Sequence, residues 1–178
     1  MKGRLRSTTV LGLRHKGKVV MGGDGQVTLG DVVLKQKTCK IRKLYSDSVL
    51  VGFAGGTSDA LALLDQLESR LEEFNGNLER AASELARDWR TDRYLRRLEA
   101  MIIAMDARRS LLISGEGDLL APDDDVLAIG SGAPFALAAA RAYVDGSRLG
   151  AVEIVERSLE ITADLCIFTN REISVLAL

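Results

Sequence analysis

Residues 8–30 read TTVLGLRHKGKVVMGGDGQVTLG, in which two apolar runs, Thr9 to Leu13 and Val19 to Gly23, flank His15-Lys16-Gly17-Lys18. A turn-forming tetrapeptide between short β-prone runs predicts a hairpin. A loop over Asp24 to Gly30 follows. Beyond it, strands are expected at Val32 to Leu34, Lys40 to Tyr45 and Val49 to Phe53, with Ser46-Asp47-Ser48 marking the last turn. The first third of the chain is therefore strand-rich.

From Ser58 the period changes. Leu61, Leu64, Leu67, Leu71 and Phe74 recur at spacings of three and four, the pattern of an amphipathic helix, and Asn75-Gly76 stops it. Asn77 is a natural cap for a second helix with Leu78, Ala81, Ala82, Leu85 and Trp89 on one face, running on through Tyr94 to Leu98. Strands are expected again at Met101 to Met105, Leu111 to Ser114 and Val126 to Ile129. Pro134 opens another helix whose face is Ala136, Leu137, Ala140 and Val144, Asp145-Gly146 ends it, and Ala151 to Asp164 forms the next. Strands at Leu165 to Phe168 and Ile173 to Leu176 close the chain. Several strands are apolar at successive positions, which requires cover on both faces. Two sheets packed face to face, each with helices outside, satisfy that requirement.

Composition limits the function classes. The chain has 178 residues, 47% hydrophobic and 28% charged, which suits one globular domain, and no linker or repeat divides it. Its 24 Lys and Arg against 25 Asp and Glu leave a net charge of -1, so no global attraction to nucleic acid or an anionic membrane is expected. Cys39 and Cys166 are too few and too separated for a disulfide scaffold or a metal motif, which fits a reducing cytoplasm. No apolar run approaches the roughly 20 residues of a membrane span, and MKGRLRS at the start lacks the apolar region of an export signal.

The first candidate chemistry is Ser7-Thr8-Thr9 at a strand head, followed by Gly22-Gly23-Asp24-Gly25-Gln26 and Thr38-Cys39-Lys40. A threonine that begins a chain carries its own base, because an α-amine has an unperturbed pKa of about 7.7–8.0. A nearby ammonium such as Lys40 disfavours the protonated amine, and a carboxylate such as Asp24 holds that lysine in place. The glycines at Gly22 to Gly25 and Gly130 to Gly132 are not followed by the lysine-serine or lysine-threonine pair of a nucleotide-binding loop, so no bound ATP is expected. Cys166 reads as a small buried hydrophobe, and His15, the only histidine, has no triad around it.

Five strings in order, TTVLGLRHKGKVVMGGDGQVTLG, GFAGGTSDA, LARDWRTDRYLRRLEA, LAIGSGAP and LCIFTN, resemble the HslV (ClpQ) type of N-terminal-threonine hydrolase over nearly the whole chain. The resemblance implies an α+β fold, the four-layer αββα sandwich of N-terminal nucleophile hydrolases, in agreement with the strand and helix order. It also implies a propeptide at 1–7, removed to leave a single peptidase domain at 8–178. By matching position, Thr8 resembles the nucleophile, Lys40 the lysine that tunes it and Asp24 that lysine's partner. Gly52 resembles the residue whose backbone N–H stabilises the oxyanion, a position where the missing Cβ lets substrate approach. Ser131 resembles the serine beside the terminal amine. A sodium ion is implied on the backbone carbonyls of Ala163, Cys166 and Thr169, with Ala163 standing where glycine is common; a glycine-type backbone angle there would not survive the change. The implied activity is that of a threonine endopeptidase in two stacked six-membered rings in the cytoplasm. An HslU-type AAA+ ATPase would deliver unfolded proteins and bind the nucleotide itself.

Two other readings stand beside this one. A catalytically silent scaffold or binding subunit would use the basic clusters Lys35, Lys37, Lys40, Arg42, Lys43 and Arg87, Arg90, Arg93, Arg96, Arg97 for contact with a partner or nucleic acid. A small-molecule amidase of the same fold would turn over a simple amide without any partner.

Overall fold

The computed structural model describes residues 5–6, 9–93, 95 and 100–178. The opening hairpin forms from Thr9–His15 and Lys18–Gly23, here β2 and β3, after a short β1 at Leu5–Arg6. Lys16 and Gly17 turn it at φ 51° and 76°, the two successive positive angles that match the twist of paired strands. Two further strands, β4 (Val27–Leu29) and β5 (Val32–Lys35), precede β6 (Ile41–Leu44) and β7 (Val49–Gly55). Helices α1 (Thr57–Glu73) and α2 (Leu78–Thr91) follow. Then come β8 (Ala100–Met105), β9 (Ser110–Ser114), β10 (Leu119–Leu120) and β11 (Val126–Gly130). Helices α3 (Ala133–Gly146) and α4 (Ala151–Leu165) lead into β12 (Ser174–Ala177).

The strands make two large sheets in the orders β11-β2-β3-β12 and β10-β9-β8-β7-β6, and a small one, β1-β4-β5. Among the described residues three hydrophobic clusters lie between four layers. One, with Leu64, Leu67, Leu85 and Trp89, fills the space between α1, α2 and the second sheet. Another, with Leu11, Val20, Ile154 and Leu159, joins α3 and α4 to the first sheet. The third, with Val10, Met21, Leu50, Ile103 and Ile129, seals the two sheets against each other. This is the expected αββα arrangement, and it explains the unalternating apolar strands: β2 and β7 are buried on both faces.

Four expectations are corrected. The loop from Asp24 to Gly30 contains β4, and the strand expected at Lys40 to Tyr45 is shorter because Tyr45 turns out at φ 48°. Helix α2 stops at Thr91, where Asp92 is extended at ψ 131° and its N–H caps onto the Asp88 carbonyl; Tyr94 and 96–99 lie outside the described residues. Leu165 to Phe168 is no strand. Leu165 ends α4, the Cys166 N–H closes that helix on the Thr162 carbonyl, and a turn follows. The apolar side chains there are those of a helix end rather than of a sheet.

Among the described residues β5 has only β4 beside it in the small sheet, and all four of its residues are exposed. On the other flank of β4, Leu5 lies opposite Leu29 and Arg6 opposite Thr28.

Candidate active site

The site lies where β3 and the segment before β6 reach the start of β2. Asp24 follows β3 directly, and its backbone N–H donates to the Thr9 carbonyl at 3.1 Å while its side chain turns back on the same residue. Asp24 Oδ1 accepts the Thr9 N–H at 2.7 Å and the Lys40 ammonium at 2.9 Å. Oδ2 accepts the backbone N–H groups of Gln26 (2.9 Å) and Asn170 (3.3 Å). Lys40 Nζ donates also to the Gln26 carbonyl, at 2.6 Å. Both charged side chains are buried, with 1% of Lys40 and none of Asp24 exposed. Such a pair holds only if remaining donors and acceptors are satisfied, and four donors converge on this carboxylate. Burial pushes the Lys40 pKa below that of an ordinary lysine, against Asp24, whose charge and hydrogen bond pull it back up.

The start of β2 is fixed a second time through its hydroxyl. Thr9 Oγ1 lies 2.7 Å from Thr169 Oγ1, and both residues are buried. Gly132 closes over them: a Cβ there would sit 2.1 Å from Thr9 Oγ1 and 2.4 Å from Thr162 Cγ2, so only glycine fits. Gly130 is the register partner of Thr9 on β11, and the exposed Ser131 follows it. Thr8, the expected nucleophile, lies outside the described residues.

Gly52 is placed differently from expectation. It sits inside β7, opposite Ile41 on one side and Ile103 on the other. Phe53 N–H donates to the Lys40 carbonyl at 3.1 Å, so Gly52 and Ile41 are a non-hydrogen-bonded pair and the Gly52 amide faces β8, within the sheet. A Cβ on Gly52 would lie 2.5 Å from Val10 Cγ1 and 2.8 Å from Met21 Sδ, so its smallness serves the inter-sheet core. Amides alternate along a strand. The one that shares the direction of Phe53 and lies nearer the strand end is Gly55, which has φ 123°, a backbone angle that side chains disfavour. That amide points past the end of β6, toward the segment that delivers Lys40.

Ala163 lies in the last turn of α4, in right-handed helical backbone, so no glycine-type angle is needed there. The Cys166 carbonyl accepts the Thr169 N–H at 3.0 Å. The three carbonyls expected to hold a cation thus belong to one helix C-terminus and the turn after it, the negative end of the helix dipole, and oxygen ligands suit a hard ion. Among the described residues no group of three His, Cys, Asp or Glu side chains could hold a metal.

Asn170, and the side-chain contacts of Gln26 and Thr169, escaped the sequence reading. These contacts span 141 to 160 residues, and neither composition nor periodicity signals them. A hollow of about 510 Å³ lined by Ser48, Asn75, Asp106 and Arg108 shares no residue with the site.

The family described as "Proteasome subunit" matches residues 5–178. The chain is 56% identical over 171 residues to the ATP-dependent protease subunit HslV of Chlorobium luteolum, covering 96% of this chain and 94% of that protein. It is 54% identical over 168 residues to the protein of the same name from Syntrophobacter fumaroxidans, covering 94% of each. The crystal structure of eukaryotic HslV from Trypanosoma brucei superimposes with a TM-score of 0.92 at 46% identity, covering 96% of this chain and 99% of that one. Thiobacillus denitrificans BPH shares the fold, with a TM-score of 0.74 at 18% identity over 96% of this chain and 97% of that one.

Proposed function

The chain belongs to the proteasome-subunit family, in its HslV branch, and on that footing we propose that it is the threonine peptidase subunit of an ATP-dependent protease, with Thr8 as nucleophile. One observation carries the assignment: Asp24 Oδ1 receives both the Lys40 ammonium and the Thr9 nitrogen. Residue 8 is bonded covalently to that nitrogen, so a buried cation and the candidate nucleophile share one anchor.

Once the Ser7–Thr8 bond is cut, the Thr8 α-amine is a free base. It takes the proton from its own hydroxyl as the oxygen attacks a peptide carbonyl, then gives that proton to the departing amine. Water, deprotonated by the same amine, releases the acyl group. Lys40 disfavours the protonated amine by charge, and Asp24 fixes Lys40. The oxyanion donor we assign is the Gly55 amide rather than that of Gly52, with Ser131 beside the amine. The carbonyls of Ala163, Cys166 and Thr169 would hold a sodium ion, which supplies fixed positive charge to the turn before Asn170. Leu5–Arg6 pairs antiparallel with β4, so the segment before the proposed cut is held extended, as strand addition holds a bound peptide.

The relatives' name implies an ATPase partner and an oligomeric assembly. We assign the partner to the HslU type, the assembly to two stacked six-membered rings, and the compartment to the cytoplasm. Unfolded proteins are the substrates, and the nucleotide belongs to the partner. No helix among the described residues is long and apolar enough to cross a membrane.

The test is the intact mass and peptidase activity of wild type and Thr8→Ala, each with the ATPase and ATP. Wild type should lose residues 1–7 and be active, while Thr8→Ala should keep them and be inactive. A full-length, fully active wild type would refute the nucleophile assignment.

A further inference from the structure

Asn170 lies in the connection between α4 and β12, far in sequence from the Asp24–Lys40 pair, yet each of its hydrogen-bonding groups except its carbonyl meets that region or its own turn. Its backbone N–H reaches Asp24 Oδ2 at 3.3 Å. Its side-chain Oδ1 accepts the N–H of Gly25 at 3.1 Å and of Glu172 at 3.2 Å. Its Nδ2 donates to the Gln36 carbonyl at 2.9 Å. Gly25 and Gln36 belong to the two loops that deliver Asp24 and Lys40, and these loops touch: a Cβ on Gly25 would lie 2.3 Å from the Gln36 carbonyl oxygen, and Thr38 N–H donates to the Gly25 carbonyl at 2.9 Å. Gln26 adds a parallel tie, from its Nε2 to the Ile167 carbonyl at 2.8 Å.

We propose that Asn170 is a positioning residue for the reaction, a clamp that sets the distance between the Asp24 loop and the Lys40 loop and so the place of the buried ammonium. This rests on the threonine-peptidase reading above. The side-chain amide suits the task because it presents an acceptor to one loop and a donor to the other in one plane. An aspartate would keep the acceptor, lose the donor to Gln36 and add a negative charge beside Asp24.

The clamp predicts a kinetic signature. A Lys40 held less firmly no longer disfavours protonation of the Thr8 amine, so the amine pKa rises and the acid limb of the pH profile moves to higher pH. Asn170→Ala should lower kcat about 10- to 100-fold, the usual effect of removing a group that orients a reacting one, with KM changed less than about threefold. Asn170→Asp should move the acid limb further in the same direction, and it serves where alanine prevents assembly. The experiment is steady-state hydrolysis of a fluorogenic tripeptide amide from pH 6 to 9, with the ATPase and ATP present, for wild type, both variants and Thr8→Ala. Rates are divided by active sites counted by covalent titration. A lowered melting temperature with unchanged kcat per site and unchanged acid limb would reduce Asn170 to a loop-stabilising residue and overturn the clamp alone. An inactive wild type, or an active Thr8→Ala, would overturn the peptidase reading and the clamp with it.

Discussion

Lys40 shows what a single residue's setting decides. In sequence it stands among Lys35, Lys37, Arg42 and Lys43, and a run of that kind reads as a solvated face; in the structure Lys35, Lys37 and Arg42 are exposed while Lys40 is 2% exposed. Nothing local distinguishes it. Only its order relative to Thr8 and Asp24, and the resemblance that gives the order meaning, made it legible as a site residue. Removing one member of a buried pair costs about 3–5 kcal/mol, and Lys40→Met should fall near the lower end because Asp24 keeps three backbone N–H donors. The pH dependence has a definite sign. The folded pKa of Lys40 lies below the ordinary 10.5, so between the two the unfolded chain binds more protons and stability rises with pH. Below the folded value the full cost of the buried ammonium is present. Urea unfolding of wild type and Lys40→Met at several alkaline pH values should show the wild-type advantage growing toward pH 10.5; an advantage that shrinks over that range would contradict the burial argument.

Among the elements, those with a strong period were legible. Leu64, Leu67 and Leu71 are fully or almost fully buried on α1, as their spacing requires, and the Asn77 side chain accepts the Arg80 N–H at the start of α2. β4 was hidden because its three residues follow Asp-Gly-Gln and precede Gly-Asp, so turn signals outweigh a short strand. Leu165 to Phe168 misled for the opposite reason, since an apolar run does not say whether its backbone is paired. β7 holds the sharpest difference, because its two candidate glycines have different reasons to be glycine. Gly52→Ala would force a methyl group against Val10 and Met21, an overpacking cost of about 1–3 kcal/mol, yet leave its amide in place. Gly55→Ala would instead oppose a φ of 123° and turn the amide away from its direction. Melting temperature and kcat per titrated site should therefore separate them: Gly52→Ala loses stability but keeps turnover, and Gly55→Ala loses turnover. The reverse outcome would return the oxyanion donor to Gly52.

At the scale of the molecule, four layers bury the hydrophobic clusters, and apolar surface still remains outside. Val32, Leu34, Leu165 and Ile167 are each more than half exposed. The proposed assembly should cover such surface, and light scattering at micromolar concentration should give a mass several times the 19.3 kDa of one chain. A single-chain mass at that concentration would refute the assembly. β5 bears on the life of a copy that has not yet met its neighbours. An open, apolar strand edge recruits whatever extended chain comes near, so a newly made copy is sticky until it is incorporated. Yield of usable protein is then a race between orderly incorporation and clumping. Slowing synthesis, rather than strengthening the fold, is what should favour recovery when the chain is overproduced.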